Sequence, residues 1–196
     1  MRIAHICLSN WYIEGLLYQE NELIRQHVQA GHSVLVIAST ETHDEDGRVA
    51  YTTPGESIGQ EGARVVRLPY RLYPAQLARK LRVHPGVYSL LEQFRPQAML
   101  FHGTCGWEVA TAARYARNHP DVAFYIDSHE DRYNSARSFL SRALLHKLYY
   151  RYCLQRAWPY AQKILCVSLE TMDFVAQTYG VPRDRLEFYP LGGRIV

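Results

Sequence analysis

Nowhere in the 196 residues do apolar side chains run together far enough to cross a bilayer, which takes an uninterrupted stretch of about 18. The opening Met1-Arg2-Ile3-Ala4-His5-Ile6-Cys7-Leu8 has neither the apolar core nor the cleavage site of a signal peptide and reads as a first strand. A cytoplasmic protein is the expectation. Cysteine is scarce: Cys7, Cys105, Cys153 and Cys166 form no C-x-x-C pair, which leaves a zinc or redox motif without support. Cys7 and Cys166 fall inside apolar strand runs, where a thiol behaves as a small hydrophobe, so a reducing compartment is the simplest reading. There is no G-x-G-x-x-G dinucleotide fingerprint, no G-x-S-x-G hydrolase elbow, no internal repeat and no low-complexity tract.

Acid is missing from two long stretches. Between Glu61 and Glu92 stand Arg64, Arg67, Arg71, Arg79, Lys80 and Arg82. Between Asp131 and Glu170 stand Arg132, Arg137, Arg142, Lys147, Arg151, Arg156 and Lys163, so the two segments hold 13 of the 22 Lys and Arg residues. The net charge is nevertheless only +3. A basic face suits an anionic partner such as a phospholipid headgroup, a lipid diphosphate, a nucleotide or a nucleic acid. A solvated surface balanced in three dimensions is the alternative. Tyr70, Arg71, Tyr73, Arg79, Lys80 and Arg82 make residues 69–83 the better surface candidate. In the helix expected over 135–158 the basic residues rotate around the axis, and most of its tyrosines are expected to pack inward.

What is present is an ordinary globular composition, 47% apolar and 21% charged, with strand and helix patterns in alternation. Apolar runs at 2–8, 33–39, 63–68, 98–102, 122–127, 164–167 and 186–189 read as strands. Helical periodicity over 16–30, with Leu16, Leu17, Leu23, Ile24, His27 and Val28 on one face, is closed by Gly31. Further helices are expected over 75–82, 86–94, 105–118 and 169–179. Residues 40–62 are polar, lack an apolar period, and read as a long mobile loop. The alternation predicts an α/β fold: a Rossmann-like, doubly wound, mostly parallel sheet of about seven strands with helices on both faces, as one domain over 1–196. The ending on Ile195-Val196 without a closing helix reads as a cut.

Ala123-Phe124-Tyr125-Ile126-Asp127-Ser128-His129-Glu130-Asp131 is the stretch with chemistry. It begins as a buried strand and ends in five polar residues at the carboxyl edge, where open α/β sheets bind ligands. Histidine titrates near neutrality, which makes His129 the candidate centre. His102-Gly103-Thr104 ends the preceding strand at the same edge, with His102 either a ligand group or a cap. Asp127, Glu130 and Asp131 converge on the same crevice. Metal binding finds no tight ligand spacing. In the loop 9–15, Gly15 is either a backbone approach to a ligand or a plain turn glycine.

Four stretches in order resemble a known family: Gly15 with Tyr18-Gln19-Glu20-Asn21 and Gly31-His32-Ser33-Val34-Leu35-Val36; His102 at a strand end; Ile126-Asp127-Ser128-His129-Glu130-Asp131 with Asn134-Ser135; and Val167-Ser168 through Asp173-Phe174, Tyr179-Gly180-Val181-Pro182 and Pro190-Leu191-Gly192. Together they resemble the amino-terminal, acceptor-side domain of family-4 retaining glycosyltransferases of GT-B fold. The resemblance implies a second, donor-binding half outside this sequence. It implies sugar transfer from a nucleotide-sugar donor to a glycan or lipid-linked acceptor in polysaccharide or glycolipid synthesis, without metal or other cofactor and without a nucleic-acid partner. The implied catalytic residue is His129, beside the transferred sugar, with Gly15 near the donor phosphate. His102, Gly103, Asp127, Glu130, Tyr18 and Gln19 are the implied substrate contacts. Arg71, Arg79, Lys80 and Arg82 would meet an anionic acceptor or the inner membrane face. The fragment alone is expected to be inactive. Two departures stand out: Glu14 precedes a lone Gly15 where the family often pairs glycines, and Arg194 stands where its linker often has Asp. A non-catalytic module that binds a nucleotide or phosphate, or a scaffold domain using its basic face, are the alternatives.

Overall fold

The computed structural model describes residues 1–71, 75–130 and 141–190. Tyr73, Asp131, Asn134, Ser135 and the segment 191–196, with Arg194, lie outside the described residues. The chain runs β1 (Arg2–Cys7), α1 (Gln19–Gln29), β2 (Ser33–Ser39), β3 (Glu41–His43), β4 (Val49–Tyr51), β5 (Gly55–Ile58), β6 (Arg64–Leu68), α2 (Ala75–Leu81), α3 (Val87–Phe94), β7 (Ala98–His102), α4 (Glu108–Asn118) and β8 (Ala123–Ser128). A π-helical segment Ser141–Tyr150 continues as α5 (Arg151–Gln155), followed by β9 (Lys163–Cys166), α6 (Leu169–Phe174) with a π turn Val175–Tyr179, and β10 (Leu186–Phe188).

Eight strands form one sheet in the order β10-β9-β8-β7-β1-β2-β6-β5. All neighbours are parallel except β5, which pairs antiparallel with β6. β1 lies mid-sheet; the chain first builds outward through β2 and β6, then returns to lay β7 on the other side. The connections after β1 and β7 therefore lead to helices on opposite faces of the sheet, and the carboxyl ends of these strands mark the switch point where such sheets hold ligands.

Alternation along the central strands sorts side chains between two cores. Ala4, Ile6, Leu35, Ile37, Met99, Phe101, Phe124 and Ile126 join a larger core under α3, α4 and α5. Cys7, Val34, Val36 and Ala38 join a smaller one with Ile24 of α1. Such two-sided burial is why these strands read as near-continuous apolar runs. Val109, Ala112, Ala113 and Ala116 of α4 are buried as its periodicity requires.

Residues 40–62, expected to be a loop, hold three strands instead. β3 and β4 form a small antiparallel ribbon and β5 extends the main sheet. Every residue of β5 is exposed, so an edge strand with no buried face showed no alternation to read. The first helix is shorter than its apolar pattern suggested: Leu16 and Leu17 precede it, and Leu17 is 83% exposed. In the helix at 141–155, Tyr149 and Tyr150 turn inward and donate to the carbonyls of Leu81 and Lys80, while Tyr152 is half exposed.

Candidate functional site

β7 and β8 pair His102 with Asp127 in register, both on the α1 side of the sheet. Asp127 Oδ2 accepts from His102 Nδ1 at 2.5 Å, and Oδ1 accepts the Gly103 N–H at 2.8 Å. Both side chains are buried. Burial works against charge on His102, yet the adjoining Asp127 carboxylate outweighs it and holds the ring above its ordinary range. Burial likewise pushes Asp127 up, but His102, His129 and the Gly103 N–H together bring it below the usual carboxylate value. Each side chain thus favours the charged form of the other, and Asp127 has a donor on both oxygens.

Gly103 follows at φ +93°, and a Cβ there would lie 2.4 Å from Ser9 Oγ. Glycine lets the β7 loop close on the β1 loop, where Ser9 Oγ accepts the Cys105 N–H at 3.0 Å. One residue further, Glu130 is locked by the Thr104 N–H at 2.9 Å and the Ser128 hydroxyl at 2.6 Å. Across the gap, Glu61 accepts from Tyr12 Oη and from Asn21 Nδ2, the latter at 2.7 Å. It ties the loop after β1 to the start of α1.

Above this floor is a cavity of about 540 Å³ lined by Ser9, Asn10, Trp11, Ile13, Tyr18, Gln19, Glu20, His43, His129 and Glu130. His129 Nε2 stands 3.8 Å from Asp127 Oδ1 and 4.0 Å from Glu20 Oε1. Glu20 Oε1 also accepts from Asn10 Nδ2 at 3.2 Å. Trp11 meets His43 edge-on with ring centroids 5.1 Å apart, and Tyr18 is half exposed at the rim. Aromatic faces, amides and carboxylate acceptors around an imidazole suit a polyhydroxylated ligand, whose hydroxyls donate and whose ring carbons stack.

The structure brings His129, Glu130, Tyr18 and Gln19 to one cavity. His102, Gly103 and Asp127, expected as substrate contacts, are buried and outside the lining, in contact with the lining residues Ser9, Asn10 and His129. Gly15 is outside the lining, with its N–H 3.5 Å from Glu61 Oε1 and the Gln60 side chain packed against it. Among the four basic residues, Arg71 and Lys80 are exposed. Arg79 is paired with the buried Glu41 at 3.3 Å, and Arg82 turns inward to donate to the Leu8 carbonyl at 3.3 Å. No group of side chains among the described residues is arranged to hold a metal ion, and no described helix is long and apolar enough to cross a membrane.

Residues 18–192 match the family described as a glycosyl transferase 4-like domain. The chain belongs to the glycosyl transferase 4-like family. Its fold is that of a GT-B half: a sucrose-phosphate synthase from Thermosynechococcus elongatus superposes with a TM-score of 0.61 at 11% identity, over 97% of this chain and 48% of that one. Two further solved structures match at lower similarity. A glycosyltransferase from Rickettsia africae has a TM-score of 0.47 at 10% identity over 96% and 42% of the two chains. A UDP-GlcNAc 2-epimerase from Neisseria meningitidis, bound to UDP-GlcNAc, has a TM-score of 0.49 at 12% identity over 96% and 45%. No curated protein matches the sequence. The chain of this glycosyl transferase 4-like protein spans about half the length of the solved structures it matches.

Several lining residues were missed from sequence. Ser9, Asn10, Trp11 and Ile13 sit in the loop after β1, a position the switch-point rule marks, yet only Gly15 was singled out there. Glu20 stands in the stretch Tyr18–Asn21 that carries the resemblance, with no role assigned to it there. His43 lay in the segment read as a loop.

Proposed function

We propose that this chain is the acceptor-side half of a retaining glycosyltransferase, acting with a donor-binding half to move a sugar from a nucleotide sugar to a glycan or lipid-linked acceptor. The observation that carries this is the cavity: an imidazole flanked by two carboxylates, with aromatic and amide side chains around it, at the switch point of a family-4-like fold. His129 lies beside the reacting carbon and steadies the positive charge that grows as the bond to phosphate breaks. The Asp127 and Glu20 carboxylates, 3.8 and 4.0 Å from its Nε2, supply a negative field that favours that charge. Glu130, Tyr18 and Gln19 hold sugar hydroxyls. Glu20 and Glu130 make the lining a poor host for a free phosphate, which weighs against a non-catalytic phosphate-binding module.

The reaction runs in the cytoplasm, on a polysaccharide or glycolipid precursor, with peripheral contact to an anionic membrane through the exposed Arg71 and Lys80. A screen of nucleotide-sugar donors against saccharide and lipid-linked acceptors, using the whole protein, tests the reading. Transfer with retained anomeric configuration is expected. Nucleotide or phosphate binding without transfer to any acceptor would refute it.

A further inference from the structure

Three histidines stand in line behind the floor of the site. His5 on β1 is fully buried; its Nδ1 lies 2.9 Å from His102 Nε2, and its Nε2 lies 3.0 Å from His27 Nδ1 on α1. His27 is part-exposed. The line therefore runs Asp127, His102, His5, His27 and out to the α1 surface, away from the cavity. Two proton settings satisfy every one of these contacts. In one, neutral His102 donates from Nδ1 to Asp127, His5 donates from Nδ1 to His102, and His27 donates from Nδ1 to His5. In the other, His102 is an imidazolium donating from both nitrogens, and His5 and His27 each carry their proton on Nε2.

The settings differ by one proton. A proton bound at His27 Nε2 moves the His27 Nδ1 proton onto His5 Nε2, and the His5 Nδ1 proton onto His102 Nε2. No heavy-atom bond changes. We propose that His5 and His27 are positioning residues for the site: they pass a proton between solvent on the α1 side and His102, and so set whether the Asp127 carboxylate beneath His129 is neutralised from behind. The relay stands on the geometry; its bearing on turnover rests on the glycosyl-transfer reading. Burial and the two neighbouring rings hold His5 well below its ordinary value, which keeps the middle of the line neutral and able to pass a proton on.

The charged and titratable neighbours are few. His32, with ring centroids 6.0 Å from those of His27, faces the outer end, and the Met1 amino group lies 3.4 Å from His32 Nδ1. Glu20 acts on His102 from α1. Asp127 acts on the thiols of Cys7 on β1 and Cys166 on β9, both of which burial holds protonated. His129 faces Asp127 and Glu20.

Nitrogen-15 imidazole spectra of this chain, titrated from pH 5 to 8, test the relay without any donor sugar, so its failure is separate from failure of the transferase reading. As His102 gains its second proton with falling pH, His5 is expected to stay neutral and to shift its own proton from Nδ1 to Nε2. His27→Gln, at a part-exposed position, is expected to slow solvent exchange of the His102 Nε2 proton at least about tenfold, since an amide accepts a hydrogen bond but passes no proton on. His5→Phe removes the acceptor of that proton, so the His102 midpoint should fall. A merely structural role for His27 would leave the exchange rate of the His102 proton unchanged. A His5 whose proton does not change nitrogen as His102 protonates, unchanged exchange in His27→Gln, or an unmoved His102 midpoint in folded His5→Phe would each overturn the proposal. Should His5→Phe fail to fold, the wild-type spectrum and His27→Gln still decide it.

Discussion

Gly103→Ala is expected to destabilise the protein by about 3 kcal/mol, from two separable causes. The backbone at φ +93° costs a residue with a Cβ about 1–2 kcal/mol. The added methyl would also stand 2.4 Å from Ser9 Oγ, 2.7 Å from Ser9 Cβ and 2.9 Å from Asn10 Oδ1. Forcing an atom into so tight a space costs about 1–3 kcal/mol. Ser9 is itself held by the Cys105 N–H, so it has no easy retreat. Urea unfolding followed by fluorescence gives the midpoint, with an unchanged slope expected because the unfolded surface is the same. A double-mutant cycle with Ser9→Gly isolates the steric part, which should appear as a coupling of about 1–2 kcal/mol while the backbone share persists. A Gly103→Ala stability within about 0.5 kcal/mol of wild type would refute the claim that the β7 and β1 loops close against each other here.

Acid should weaken the fold through His84, which is buried with its N–H donating to Glu108 and Nδ1 donating to the Leu68 carbonyl. Burial lowers this ring from 6.5 to about 4, so the unfolded chain takes up the proton first as pH falls. Stability is then lost between those two values, reaching about 2.5 kcal/mol by pH 4.5, and His84→Phe should flatten that slope in urea titrations. Glu61→Ala leaves Tyr12 Oη and Asn21 Nδ2 without their shared acceptor. A loss of about 2 kcal/mol and faster proteolysis within residues 13–17 are expected; unchanged cleavage would show that the loop is held otherwise. Binding to anionic vesicles should fall roughly thirtyfold in the Arg71→Ser, Lys80→Ser double variant, at about 1 kcal/mol per exposed cation. Equal partitioning of the double variant and wild type would remove the membrane from the account.

The parallel sheet was legible because its strands are buried on both faces, which writes their apolar character into the chain without interruption. β3, β4 and β5 carry no such mark, since a ribbon and an exposed edge need little apolar surface, and their pairing partners decide them. The cavity was legible as a place, from the polar end of β8 and the loop after β1. Its membership was less so. His102 and Asp127 look like surface residues at a strand end, but they face one another across β7 and β8 in register, and each removes the other from contact with a ligand. Only the third dimension reveals that His5, inside an apolar strand, completes their line. Arg79 and Arg82 belong to a basic stretch in sequence, yet the buried Glu41 and the carbonyl of Leu8 draw them inward.

His129 acts on the sugar being transferred, while Asp127 and His102 beneath it act through its ring. Turnover by the whole protein with His129→Ala, set beside its thermal midpoint, tests this most directly. A fall in kcat of at least about a hundredfold, worth about 3 kcal/mol of transition-state stabilisation, with an unshifted midpoint, is the expected result. Wild-type turnover in a folded His129→Ala protein would contradict it.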